Sequence, residues 1–392
     1  MAYDRAVARS TDPRIVAIGA GDPFDRKTWS GTSYWLLSAL QELGVLDGAV
    51  DAWPPGADVA ARAGSFSVNG RRWRQRYWAQ ASPLDGAVRM LIGATGTRRA
   101  RAINDSPDVV LALGASRFHG RKLQAGLRCS FTDTHLAQFL TRPDNLLDAS
   151  SRLVRKALDR ERRTFESLDV IFTMSNWMRE SIIADAGQDP DKVVTVGTGA
   201  NMPIPSRAQR RVVKPPRFLF VGMRFERKGG RYLLEAFDRV RLEHPDAELW
   251  IVGPEQPLSE QEGVRWLGRI DRSDPAGDAE IQRLYTEATA FVMPSLFEPA
   301  GIVFLEAMAY ALPCVGSDCC AMPEFIAREE SGLLARRADA EDLAAKLLTL
   351  AAAPERGRQM GLQGFRRLNE RFTWGHVASS MLWEMRTRLE RR

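Results

Sequence analysis

"RFLFVGMRFERKGGRYLLEAF", residues 217–237, runs from an apolar strand-like segment through a glycine-bounded basic turn into a helix that opens after Gly230. A strand that turns straight into a helix is the building unit of a parallel sheet covered by helices. The same grammar recurs along the chain. "RIVAIGA" (14–20) is an apolar run ending in glycine. It is followed by a polar loop and "SGTSYWLLSALQELG", where Leu36, Leu37, Leu40 and Leu43 fall at helical spacing before Gly44. Further strand-like runs stand at 108–113, 168–175 and 192–197, and a second series at 217–222, 247–253, 288–295 and 312–318.

Between the two series lies "NMPIPSRAQRRVVKPP" (201–216), with four prolines, several basic residues and no periodicity. It reads as a linker. From about residue 339 the pattern is helical to "WGHVASSMLWEMRTRLERR". The expectation is α/β, with two doubly wound domains. Open parallel sheets bind ligands beyond the carboxyl ends of their strands, so two such domains facing each other would place a site in the cleft between them.

A chain of 392 residues with 44% hydrophobic and 27% charged residues exceeds one core. Neither a signal-peptide pattern nor a run of eighteen apolar residues is present, so the expected location is cytoplasmic. Cys129, Cys314, Cys319 and Cys320 form no C-x-x-C and suggest neither a disulfide framework nor zinc. They read as small buried hydrophobes. Basic residues outnumber acidic ones 29 to 22 in residues 1–210, and the remainder is balanced at 26 to 27. The front half therefore suits an acidic partner. "VNGRRWRQRYWAQ" (68–80) interleaves arginines with Trp73, Tyr77 and Trp78, which suits peripheral contact with an anionic membrane; a nucleic-acid partner is not expected.

In the opening segment, glycine lets backbone approach a ligand, and Arg224, Arg227 and Lys228 offer positive charge. The helix that follows presents N–H groups without acceptors, which together suits a diphosphate. "PSLFEPAGIVFLEAMAYALPCVGSD" (294–318) adds a second such element. Glu298 precedes a helix beginning near Gly301, and Glu306 lies more than one turn into it. The amides of Gly301, Ile302 and Val303 are candidate donors to phosphate oxygens. Glu306 could accept hydrogen bonds from vicinal ribose hydroxyls, with Glu298 facing whatever the diphosphate carries.

These segments, with "EESGLLA", "ERRTFESLDVIFTMSNWMRESI" and "VTVGTGAN", resemble glycosyltransferase family 4, retaining enzymes of the two-Rossmann GT-B architecture. The resemblance covers nearly the whole chain from residue 14. It implies an acceptor-binding domain over 1–205, a nucleotide-sugar-binding domain over 206–373, and a final helix, 374–392, returning to the first domain. It also implies transfer of a sugar from a nucleoside diphosphate to a hydroxyl of a glycan, lipid or small molecule, with retention and with neither metal nor cofactor. In those terms Glu306 holds the ribose, Glu298 the transferred sugar, and Arg224 and Lys228 the leaving diphosphate.

Three departures bear on residue roles. Met223 separates Gly222 from Arg224, so Arg224 and Arg227 could exchange roles. The first loop offers "WSGTS", with Gly31 as the counterpart of a glycine pair. "FTDTH" supplies both Asp133 and His135 as candidates near the reacting carbon. Two other readings stand beside transfer: a glycoside hydrolase using Glu298 and Glu306 as acid and base, and a nucleotide-sugar-binding protein without turnover.

Overall fold

A computed structural model describes residues 12–56, 59, 63, 65–66, 85–114, 123–142, 147, 150–208, 212–255 and 257–392. The basic, aromatic segment at 68–80 therefore lies outside the described residues. The chain divides into two compact units, one of residues 1–201 with 374–392 and one of 202–373.

The first unit is built on a six-stranded parallel sheet. Its strands are β1 (Ile15–Gly19), β2 (Leu46–Asp51), β3 (Val109–Leu113), β4 (Leu127–Thr132), β5 (Val170–Thr173) and β6 (Val193–Thr195), in the order β2-β1-β3-β4-β5-β6. All five residues of β1 and all five of β3 are buried, as strands covered on both faces require. Helices α1 (Thr32–Glu42), α2 (Asp85–Ile103), α3 (Arg152–Glu166) and α4 (Asn176–Ala186) belong to this unit. Helix α4 starts where Ser175 accepts a hydrogen bond from the Met178 amide at 3.1 Å. Ser175 is buried, so replacing it with alanine is expected to lower stability by about 1 kcal/mol in urea unfolding, with the denaturant slope unchanged.

The second unit repeats the plan with β7 (Arg217–Val221), β8 (Glu248–Val252), β9 (Val264–Gly268), β10 (Ala290–Met293), β11 (Cys314–Ser317) and β12 (Gly332–Ala335), all parallel, in the order β12-β11-β10-β7-β8-β9. Its helices are α5 (Gly230–Glu243), α6 (Pro275–Glu287), α7 (Ile302–Ala309), α8 (Met322–Phe325), α9 (Ala340–Ala352) and α10 (Pro354–Arg371). Helix α10 approaches the end of α7 so closely that a Cβ on Gly361 would stand 1.7 Å from the Ala311 carbonyl oxygen. Only glycine permits that approach, and it holds α7 from behind.

The last helix, α11 (Trp374–Glu390), belongs to the first unit and packs on α1. It buries Val377, Ala378, Met381, Leu382 and Met385 at helical spacing. Its first residue anchors it: Trp374 Nε1 donates to the Ala200 carbonyl at 3.1 Å and to Asn201 Oδ1 at 3.2 Å.

Candidate functional site

Strand order marks a candidate site in the second unit. From β7 the chain winds one way through β8 and β9, then returns to place β10 on the other side of β7. The loops after β7 and β10 therefore leave neighbouring carboxyl ends and diverge, which is where open α/β sheets bind ligands. These are the loops that carry the basic turn and Glu298. They are stitched together: the Leu296 amide donates to the Arg227 carbonyl at 2.9 Å, and the Arg227 guanidinium donates to the Phe297 carbonyl.

The turn of residues 222–229 needs its glycines. Gly229 caps α5 in a left-handed conformation (φ 77°), and a Cβ there would lie 1.9 Å from the Pro294 carbonyl oxygen. A Cβ on Gly222 would meet Lys228 Cδ at 2.3 Å, so that glycine makes room for the lysine stem. Lys228 Nζ reaches Glu298 Oε2 at 3.2 Å and Met293 Sδ at 3.1 Å. Arg227 Nη1 stands 3.9 Å from the same carboxylate oxygen. Arg224 is exposed, and its carbonyl closes the turn by accepting the Lys228 amide at 2.9 Å.

Glu298 is only 9% exposed. Burial alone would raise its carboxyl, but Lys228 and Arg227, with a hydrogen bond from the Gly301 amide, outweigh it and hold it below the ordinary carboxylate range. That last bond departs from the sequence expectation. The Gly301 N–H already serves Glu298, whereas those of Ile302 and Val303, the first two residues of α7, have no acceptor within the helix. Gly301 caps α7 with φ 53°, as the chain's reversal into the helix requires.

Glu306 lies on the second turn of α7 and is also engaged. Its Oε1 accepts from Arg272 Nη1 at 3.0 Å, and its Oε2 from the Tyr285 hydroxyl at 3.4 Å. Burial pushes this carboxyl above its usual range, and Arg272 and Tyr285 offset only part of that. Tyr285 is itself fully buried and stacked on Tyr310 at 5.3 Å. The sequence reading missed Arg272, because nothing in "GRIDRSD" marks a partner for a residue 34 positions away.

In the first unit, Gly31 caps α1 with φ 87°, after Trp29 (φ 49°) and Ser30 (φ 57°). Left-handed non-glycine residues cost about 1–2 kcal/mol each. Asn201 holds them, donating from Nδ2 to the Ser30 carbonyl at 2.8 Å and to Thr32 Oγ1 at 3.2 Å. This strained loop follows β1, at the point where the first sheet reverses its winding between β1 and β3. Asp133 stands half-buried at the carboxyl end of β4 and accepts from the Thr134 hydroxyl at 3.1 Å. His135 points inward and is fully buried. Its Nε2 lies 2.7 Å from Ser181 Oγ, its ring packs edge-on against Phe165, and it starts the short 3-10 turn Leu136–Thr141.

Among the described residues no group of three His, Cys, Asp or Glu side chains could hold a metal, and no helix is long and apolar enough to cross a membrane.

Comparison with known proteins agrees with the architecture. Sucrose-phosphate synthase from Thermosynechococcus elongatus superposes with a TM-score of 0.65 at 18% identity, over 97% of this chain and 100% of that one. The two parallel six-stranded units are thus those of the GT-B glycosyltransferase fold. Residues 215–353, within the second unit, match the model of glycosyl transferases group 1. The alpha-maltose-1-phosphate synthase of Mycolicibacterium smegmatis is 32% identical over 256 residues, 57% of this chain and 64% of that protein. The MMP alpha-(1->4)-mannosyltransferase of Mycolicibacterium hassiacum is 28% identical over 61% of each. The chain spans less than two thirds of the length of these curated relatives.

Proposed function

We propose that the protein is a retaining glycosyltransferase that moves a sugar from a nucleoside-diphosphate sugar to an acceptor hydroxyl without a catalytic metal. The observation that carries this reading is the grouping, at the switch point of the second sheet, of Lys228 and Arg227 against Glu298 at the entrance of α7. Lys228, Arg227 and the amides of Ile302 and Val303 supply positive field for a diphosphate, which is also the leaving group, so the same donors stabilise the charge that develops on it. Glu298, kept ionised, faces the hydroxyls of the transferred sugar. Glu306 accepts from the ribose while Arg272 fixes its orientation. In the first unit, the Gly31 loop and Asp133 are the proposed acceptor-side contacts, with Asp133 favoured over His135 by its place at a strand end. The acceptor is a glycan, a lipid or a small molecule.

The hydrolase reading needs one carboxyl held as a free acid opposite a carboxylate. Glu306 is pushed up and Glu298 down, but each is ion-paired, Glu298 with Lys228 and Glu306 with Arg272, which favours ligand binding over proton delivery.

The test is a thermal-shift screen against UDP-, GDP-, ADP- and dTDP-sugars. A donor at about 100 times its dissociation constant adds about 2.7 kcal/mol. One nucleotide class is expected to raise the melting temperature by several degrees, and Glu306→Ala to cut the shift to about half at the same concentration. A flat response to all four would remove the basis for the proposal.

A further inference from the structure

A second concave surface lies on the second unit, at the amino ends of its strands, opposite the loops that carry Lys228 and Glu298. Arg217 is the first residue of β7 and Glu248 the first of β8, and the two stand side by side in register. Trp250, two residues on, shares the face of Glu248 and pairs with Arg265 of β9. Arg283, Leu284 and Glu287 of α6 close the other wall, leaving a pocket of about 140 Å³. The five residues of β7 span about 13 Å, which sets this pocket apart from the grouping around Glu298.

Hydrogen bonding is uneven along the wall. Arg283 is saturated: its guanidinium donates to both oxygens of Glu280, at 2.7 and 2.8 Å, and to Glu287 Oε2 at 2.7 Å. Glu248 is engaged at both oxygens, by Arg265 Nη2 at 3.0 Å and by Trp250 Nε1 at 2.7 Å. Arg217 differs. Its guanidinium lies over the buried Trp250 ring, 5.2 Å from the centroid, and makes no hydrogen bond to any described residue. Its Nε is buried without a partner, and its Nη1 stands 3.7 Å from Glu287 Oε2, an oxygen that Arg283 already occupies. Arg265 commits only one nitrogen, to Glu248. Three arginines face Glu248, Glu280 and Glu287, so net charge does not select a ligand here. The pocket is short of acceptors instead: two guanidinium groups keep unused N–H donors, while the carboxylates beside them are taken.

We propose that this pocket binds a small oxyanion, the phosphate or carboxylate group of a small molecule, between Arg217 and Arg265. An oxyanion presents paired acceptors in the geometry that a planar guanidinium favours. It ties the ends of β7 and β9 together across Trp250 and braces α6, whose Glu287 faces Arg217. Helix α6 also carries Tyr285, whose hydroxyl reaches Glu306 at 3.4 Å, so an occupied pocket stiffens the helix that supports this carboxylate. The consequence for donor binding rests on the function proposed above, whereas the binding of the oxyanion does not.

The experiment titrates the full chain by calorimetry with inorganic phosphate and, separately, with succinate, at an ionic strength held constant with sodium chloride. Hydrogen exchange of peptides covering 275–287 is followed with and without each anion. A saturable site is expected, weakened at least about tenfold by Arg217→Gln and about threefold or more by Arg265→Gln. The Arg265 side chain is 61% exposed, so its variant keeps the test valid even if Arg217→Gln disturbs folding. Lys228→Ala, at the other end of the strands, should change the affinity less than about twofold, which separates this site from anion binding at the diphosphate donors. The bound anion should slow exchange along α6 about threefold in wild type and leave it unchanged in Arg217→Gln. A preference for phosphate or for succinate names the source of the group, and either preference supports the site. No saturable binding of either anion up to millimolar concentrations, binding that survives both arginine substitutions, binding lost in Lys228→Ala, or unaltered exchange along α6 overturns the proposal. No nucleotide sugar enters these measurements, so an absence of transfer activity would leave them standing.

Discussion

Replacing Glu298 with glutamine is expected to lower turnover about a hundredfold while changing donor affinity less than about threefold. Glutamine keeps the shape, and its amide oxygen can still accept from Gly301, but it has no charge to set against Lys228 and Arg227. Glu306→Ala should do the reverse, raising the donor dissociation constant about tenfold with a smaller effect on turnover, because it removes acceptors used equally in ground and transition states. Steady-state kinetics with donor varied, alongside direct binding, separates the two outcomes; equal small losses from both changes would refute these roles. The glutamine variant also carries a pH signature. Lys228 and Arg227 overcome burial and hold the Glu298 carboxyl below its ordinary range, so the native state binds this proton more weakly than the unfolded chain does. The resulting stabilisation is fully present above the ordinary value of 4.5 and is lost as pH falls through the depressed native value. The stability gap between wild type and Glu298→Gln should therefore narrow on acidification below that range.

Gly229→Ala is expected to be the most damaging single methyl group in the second unit's site. A side chain at φ 77° costs about 1–2 kcal/mol by itself, and a Cβ 1.9 Å from the Pro294 carbonyl oxygen forces the loops after β7 and β10 apart. The two effects together should cost about 3 kcal/mol or more, or roughly 6–12 °C in melting temperature. Because these loops carry Lys228 and Glu298, donor-induced stabilisation should disappear as well. Gly268→Ala is the matched control. It also has a left-handed backbone (φ 66°) but nothing within 4 Å of the added carbon, so only the backbone cost of about 1–2 kcal/mol should remain. Equal melting temperatures for the two variants would mean that the loops yield freely.

The alternation of strands and helices was legible because interior parallel strands such as β1, β3, β8 and β10 are unbroken apolar runs. The strands that escaped reading lack that feature. β2, "LDGAVD", and β9, "VRWLG", are half-exposed sheet edges, and β4 alternates Arg128, Ser130 and Thr132 with its apolar residues although it lies inside the sheet; β12, "GLLA", is apolar and buried, but only three of its four residues carry a side chain. The start of α7 at Ile302 could be read from Gly301 and the apolar spacing that follows. The engagement of Glu306 by Arg272 and Tyr285 could not, since it depends on how α6 and the loop after β9 fold beside α7. Nor does sequence distinguish Cys314, sealed within β11, from Cys319 and Cys320, partly exposed just beyond it.

The membership of α11 in the first unit bears on how the polypeptide matures during synthesis. An N-terminal module usually condenses while downstream codons are still being translated. Here Trp374, Val377, Met381 and Met385 complete the hydrophobic interior around α1, yet they emerge after every residue of the second unit. The nascent first sheet must wait with that flank of α1 uncovered while its neighbour assembles, and ribosome-stalled chains halted before residue 374 should be correspondingly sensitive to protease and attractive to chaperones.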